Sequence, residues 1–75
     1  MNKKKKWIPK QSDKYFFCSE RRGILWDYFD ERDTRSKEKL YVGNCFRTRD
    51  EASANYEEVI KKVTDYYLTI RGSEQ

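Results

Sequence analysis

Few residues of this chain are of types that could do chemistry, and their spacing favours binding over catalysis. The sequence has no histidine, which removes the commonest general base and the commonest zinc ligand. Cys18 and Cys45 stand apart with no companion ligands and make no metal site. Asp27, Asp30, Glu31 and Asp33 form an acidic cluster that could hold a divalent ion. Arg32, Arg35, Lys37 and Lys39 are interleaved with it, however, and the spacing fits no calcium loop. A solvated mixed-charge loop is the expectation there. Ser19, Ser36 and Ser53 have neither a base partner in sequence nor an elbow motif around them. The expectation is a non-enzyme with no catalytic residue, no cofactor and no metal.

The basic and aromatic residues carry more. Lys3, Lys4, Lys5, Lys6, Lys10, Lys14, Arg47 and Arg49 surround the strand-like part of the chain, with Trp7, Trp26 and Tyr28 among them. Cations for phosphates and rings for stacking are the ingredients of nucleic-acid or nucleotide binding. Trp26, Tyr28, Tyr66 and Tyr67 can equally anchor a protein interface, with Arg21 and Arg22 as its rim.

The elements that position these residues follow from local pattern. Residues 1–13 read as a basic arm, with four consecutive lysines, a Pro9 that cannot donate to a ladder and a Trp7 expected to fold back on the domain. A first strand is predicted over Lys14 to Ser19 and a second over Ile24 to Phe29, with Gly23 supplying a positive φ in the turn. Asp30 to Lys39 is wholly polar and reads as a long loop. A third strand is predicted over Leu40 to Arg47, bent by a bulge at Gly43-Asn44. Thr48 can then cap a helix, with Glu51 reaching back to the Thr48 amide. From Ala52 the apolar residues recur as Tyr56, Val59, Val63, Tyr66 and Ile70, one stripe of a helix over about 49–70 that Gly72 would end.

The predicted fold class is therefore α+β: a three-stranded antiparallel sheet (β-β-β-α) with one C-terminal helix packed on one face. The domain spans 14–72, followed by a tail at 73–75. Either Ile24/Trp26/Tyr28 or Leu25/Phe29 could be the inward set. One helix covers one face only, so aromatics such as Tyr15, Phe17, Leu25 or Phe29 are expected on the other, with Trp7 covering some of them. An uncovered apolar patch of that kind usually marks a binding or oligomer surface.

Composition fits one small domain. The 75 residues are 40% charged but contain two Trp, six Tyr and four Phe, which supply large buried areas from few positions. Residues 1–49 carry 14 Lys/Arg against seven Asp/Glu, while 50–75 carry three against six. The sheet half is basic and the helix half acidic. No apolar run approaches a membrane span. With no apolar signal segment expected, a reducing cytosol and two buried thiols are the expectation for the cysteines.

Trp7-x-Pro9, Tyr15-Phe16-Phe17, Gly23, Trp26-Asp27 and above all Gly43-Asn44-Cys45-Phe46-Arg47-Thr48-Arg49-Asp50-Glu51-Ala52 resemble a group of small uncharacterised proteins of phages and prophages. The likeness covers about residues 7–63. It implies a phage accessory protein in the cytoplasm of a bacterial host, where inhibitors of host machinery and defence are common. The architecture is also similar to the arm-binding domains of phage integrases, which lay a sheet in the DNA major groove. The second predicted strand has no basic residue, a departure that counts against groove reading. The first expectation is thus a protein that binds and inhibits a host protein. Nucleic-acid or nucleotide binding by the basic half is the alternative, and a structural homodimer is a third.

Overall fold

The computed structural model describes residues 7–73, with side chains through 69. Its elements are β1 (Lys14–Ser19), β2 (Gly23–Tyr28), α1 (Thr34–Tyr41), α2 (Arg49–Ala54) and α3 (Tyr56–Ser73). The class is α+β, but the three-stranded sheet with one helix is overturned. Among the described residues there are two strands and three helices.

The hairpin forms where it was predicted. β1 and β2 pair antiparallel with Lys14 opposite Tyr28, Phe16 opposite Trp26 and Cys18 opposite Ile24. Gly23 turns the chain at φ +79°, a conformation side chains with a Cβ rarely adopt.

The polar stretch predicted as a loop is largely helical. Asp33 caps α1 by accepting the Arg35 amide at 2.9 Å. Val42 closes the helix, and the Gly43 and Asn44 amides return to the carbonyls of Leu40 and Lys39, the paired bonds of a Schellman end with Gly43 at φ +79°. Gly43-Asn44 is therefore a helix stop, not a strand bulge. Since α1 takes Leu40 and Tyr41, too few residues remain before the Thr48 cap to build a third strand. What survives of it is one bridge, in which Phe46 and Phe16 exchange backbone bonds at 2.8 and 2.9 Å. Asn44 completes that edge. Its side-chain oxygen accepts the Cys18 N–H at 2.7 Å and its Nδ2 donates to the Cys18 carbonyl at 3.0 Å.

The single predicted helix is also two. Thr48 accepts the Glu51 amide at 3.1 Å as expected, but Glu51 reaches the Arg47 amide at 3.3 Å rather than that of Thr48. At Asn55 the chain leaves the helix, because its Nδ2 takes the Glu51 carbonyl at 2.8 Å and competes with the backbone ladder. α3 then runs through Gly72 to Ser73, so Gly72 does not end it.

Both sheet faces are covered in part. Cys18, Ala52 and Val59 form one buried cluster with Phe16, Ile24, Phe46, Tyr56, Ile60 and Val63 against it. This is the Ile24/Trp26/Tyr28 face, covered by α2 and α3. On the opposite face Tyr15, Phe29 and Cys45 are buried, with Trp7, Phe17 and Leu40 around them. Tyr15 is 0% exposed, and its ring meets Phe29 edge-on at 5.9 Å. The expectation that Tyr15 and Phe29 stay uncovered is thus corrected: α1 and the Trp7-Pro9 segment supply a second layer. Exposed rings remain instead at the end of the first face that the helices do not reach.

Candidate docking surface

Those rings are Trp26 and Tyr28. They sit two residues apart on β2 and so on one side of the sheet. Trp26 is 51% and Tyr28 57% exposed, and their rings meet edge to face at 5.5 Å. The Lys14 ammonium lies 4.5 Å from the centre of the Trp26 ring and 5.5 Å from that of Phe16. Lys14 therefore joins this aromatic surface as a cation that orders it.

The other four expected partner-binding residues lie elsewhere, and they are brought together. Arg21 and Arg22 in the hairpin turn and Tyr66 and Tyr67 on α3 line one open cleft of about 510 Å³. Phe17 and Lys39 face it as well, the Lys39 ammonium 4.6 Å from the Phe17 ring centre. Tyr66 contacts both Tyr67 and Tyr41, with ring centres 5.4 and 5.7 Å apart. Desolvation first, then the nearby Glu38 carboxylate, pushes the Tyr66 phenol up from its ordinary range. Glu20 and Glu38 also line the cleft, so its charge is mixed. Tyr41 falls within the predicted third strand, where nothing in the sequence marks it as a partner of Tyr66. Its position eight residues after the Asp33 cap is the signal that assigns it to a helix instead.

Among the described residues, the expected nucleic-acid residues Lys10, Lys14, Arg47 and Arg49 each make a different local contact. Lys3, Lys4, Lys5 and Lys6 lie outside the described residues. Lys10 is exposed at the turn before β1, where its amide binds the Asp13 carboxylate at 2.8 Å. The Arg47 guanidinium stands 5.8 Å from the centre of the Trp7 ring. Arg49 reaches the Ile24 carbonyl at 3.5 Å, in a groove it shares with Glu57 and Glu58.

Chemistry of the reactive side chains is spent locally. Asp27 holds the Tyr28 amide at 2.7 Å, Asp33 caps α1, and Asp30 accepts the Arg32 amide at 3.0 Å. That amide, more than the Arg32 charge, keeps the Asp30 carboxyl below the usual range. Among the described residues no group of three or more His, Cys, Asp or Glu is placed to hold a metal. Both cysteines are buried, and burial pushes the Cys18 thiol up while its Sγ donates to the Ala52 carbonyl at 3.4 Å. No described helix is long and apolar enough to cross a membrane.

No known protein-family profile matches the chain, and no curated protein or solved structure is significantly similar to it.

Proposed function

We propose that this chain is a small non-enzymatic binding protein of the phage accessory type, which inhibits a protein of its bacterial host by occupying one of that protein's surfaces. The observation that carries the reading is the exposed Trp26–Tyr28 pair. Two large rings are held half in water by a rigid hairpin, and the helices that bury the rest of that face stop short of them. Preordered aromatic rings are the usual anchors of protein interfaces, because little side-chain freedom is lost when they are covered. The host setting and the inhibitory outcome rest on the resemblance of residues 7–63 to phage accessory proteins.

The test is capture from bacterial lysate, with and without nuclease, by the wild-type chain and by a Trp26→Ala/Tyr28→Ala double variant. A protein retained by the first and lost with the second is the expected result. Recovery of material that vanishes on nuclease treatment would reject it.

Nucleic-acid or nucleotide binding is the second reading, favoured by Arg21, Arg22 and Lys39 lining one cleft with Tyr66 and Tyr67. Its signature is salt: binding through several cations weakens steeply between about 50 and 200 mM salt, whereas an aromatic protein interface changes little.

A further inference from the structure

The two outer edges of the hairpin are treated in opposite ways. Along β1, the Phe16 N–H and C=O are both taken by Phe46, and those of Cys18 by the Asn44 side chain. In an antiparallel pair a residue directs both backbone groups to the same side of its strand. Phe16 and Cys18 therefore turn theirs away from β2. Their cross-strand partners Trp26 and Ile24 occupy the non-bonded positions of the ladder and turn their own groups outward, as does Tyr28 by the same alternation.

Two of those outward groups are occupied. Arg49 reaches the Ile24 carbonyl at 3.5 Å, and the Asp27 carboxylate takes the Tyr28 amide at 2.7 Å. Among the described residues nothing takes up the Trp26 N–H and C=O, and no strand lies beyond β2. Two unpaired backbone groups thus sit in the middle of an edge strand, directly beneath the most exposed large rings of the sheet. Such an edge is a template for another strand.

We infer that the β2 edge accepts an extended acidic segment of a protein partner, which adds to the sheet as a strand beside Trp26. This rests on the protein-binding reading above and specifies the geometry and charge of what is bound. A second copy of the chain fits poorly. Antiparallel pairing of β2 with itself about Trp26 sets Leu25 opposite Asp27 and joins two halves of the same basic sign. Lys14, beside Trp26 and in no ion pair among the described residues, supplies the attraction for a carboxylate. At the other end Glu57 and Glu58 share the groove with Arg49, and the Asp27 carboxylate leaves β2 on the opposite face to hold the Tyr28 amide, so the acidic residues of the segment belong at the Lys14 end on the Trp26 face. Main-chain bonds then give affinity and alternate side chains give register.

The experiment uses the full chain and three short capped peptides: alternating glutamate and valine, the same peptide with alternate amides N-methylated, and a lysine-valine counterpart. Trp26 amide exchange and binding are followed by NMR. The glutamate peptide is expected to bind and to slow Trp26 amide exchange by about tenfold or more. N-methylation should remove both effects, and the lysine peptide should bind more weakly. Equal binding of the N-methylated peptide, binding with an unprotected Trp26 amide, or no binding at all overturns strand addition. Concentration-dependent protection without peptide overturns it in favour of a second copy. The wider reading is judged separately: Trp26→Ala removes the ring but leaves the peptide group, so loss of lysate capture in that variant upholds aromatic anchoring even where strand addition fails.

Discussion

The side-chain amide of Asn44 binds the peptide of Cys18 on both sides, accepting its N–H at 2.7 Å and donating to its carbonyl at 3.0 Å. Asn44 is itself buried, and its own amide closes α1 on the Lys39 carbonyl at 2.7 Å. One residue thereby joins the end of a helix to the side of a sheet. Removing it should leave two buried polar groups of Cys18 without partners, each worth about 1–3 kcal/mol. Asn44→Ala is accordingly expected to destabilise the chain by about 2–4 kcal/mol in urea unfolding. Asn44→Asp should fare no better, since a carboxylate cannot donate to the Cys18 carbonyl. A loss under about 1 kcal/mol for both variants would show that the bond pair contributes little.

Tyr15 presents the reverse case. Its hydroxyl is buried and makes no well-formed hydrogen bond among the described residues; Ser36, whose Oγ accepts the Asp30 amide, is close enough to offset only part of the burial. Burial favours the neutral phenol and raises its pKa above the ordinary 10.0. The native chain therefore keeps this proton longer than the unfolded chain does. Stability from this group is intact below the unfolded value near 10 and falls as pH rises through the higher folded value. Tyr15→Phe should keep the ring packing and remove the orphan. Urea midpoints should match or exceed wild type at neutral pH and fall less in strongly alkaline buffer.

Gly23 separates backbone strain from crowding. A Cβ built there meets nothing within 4 Å, yet φ is +79°. Gly23→Ala should cost about 1 kcal/mol through conformation alone, and Gly23→Asn should recover part of that, because asparagine tolerates this region. Equal midpoints for all three proteins would mean that the turn has relaxed to another form.

The thiols offer a check on both layers. Cys18 is held among α2 and α3, Cys45 under Trp7 and Leu40. Native protein at mildly alkaline pH should label with a thiol reagent only as fast as it opens, and both sites should react at once in urea. Rapid native labelling of Cys18 would show that α2 and α3 do not seal its face.

Trp26→Ala should lower stability in thermal unfolding by only about 1–2 kcal/mol, because half of the ring is already in water and only the rest of its contact with Tyr28 and Lys14 is lost. A larger loss would mark Trp26 as a packing residue and weaken its candidacy as an anchor.

The hairpin was legible because alternation and Gly23 act over a few neighbouring residues. The Thr48 cap was legible for the same reason. α1 was not, since a helix of eight residues whose one buried side chain is Ser36 and whose one core-packed apolar residue is Leu40 has no apolar period to detect. Its signals are the caps, Asp33 at one end and Gly43 at the other, and Gly43-Asn44 is compatible in sequence with either a strand bulge or a helix stop. The α2–α3 break was masked by a stripe that continues across Asn55 in unbroken helical spacing, although Asn55 spends its side chain on the Glu51 carbonyl. Trp26 and Tyr28 were placed correctly on one face of β2. That they would escape cover depended on where the helices end in space, which local spacing does not encode.

The Asn44 and Phe46 bonds also limit how many molecules can join. With the outward groups of Phe16 and Cys18 taken, the hairpin can receive an extended segment at β2 but, among the described residues, not at the middle of β1. Association at β2 therefore cannot continue through the hairpin to its other flank, and the ribbon in which each hairpin pairs on both sides is closed to it.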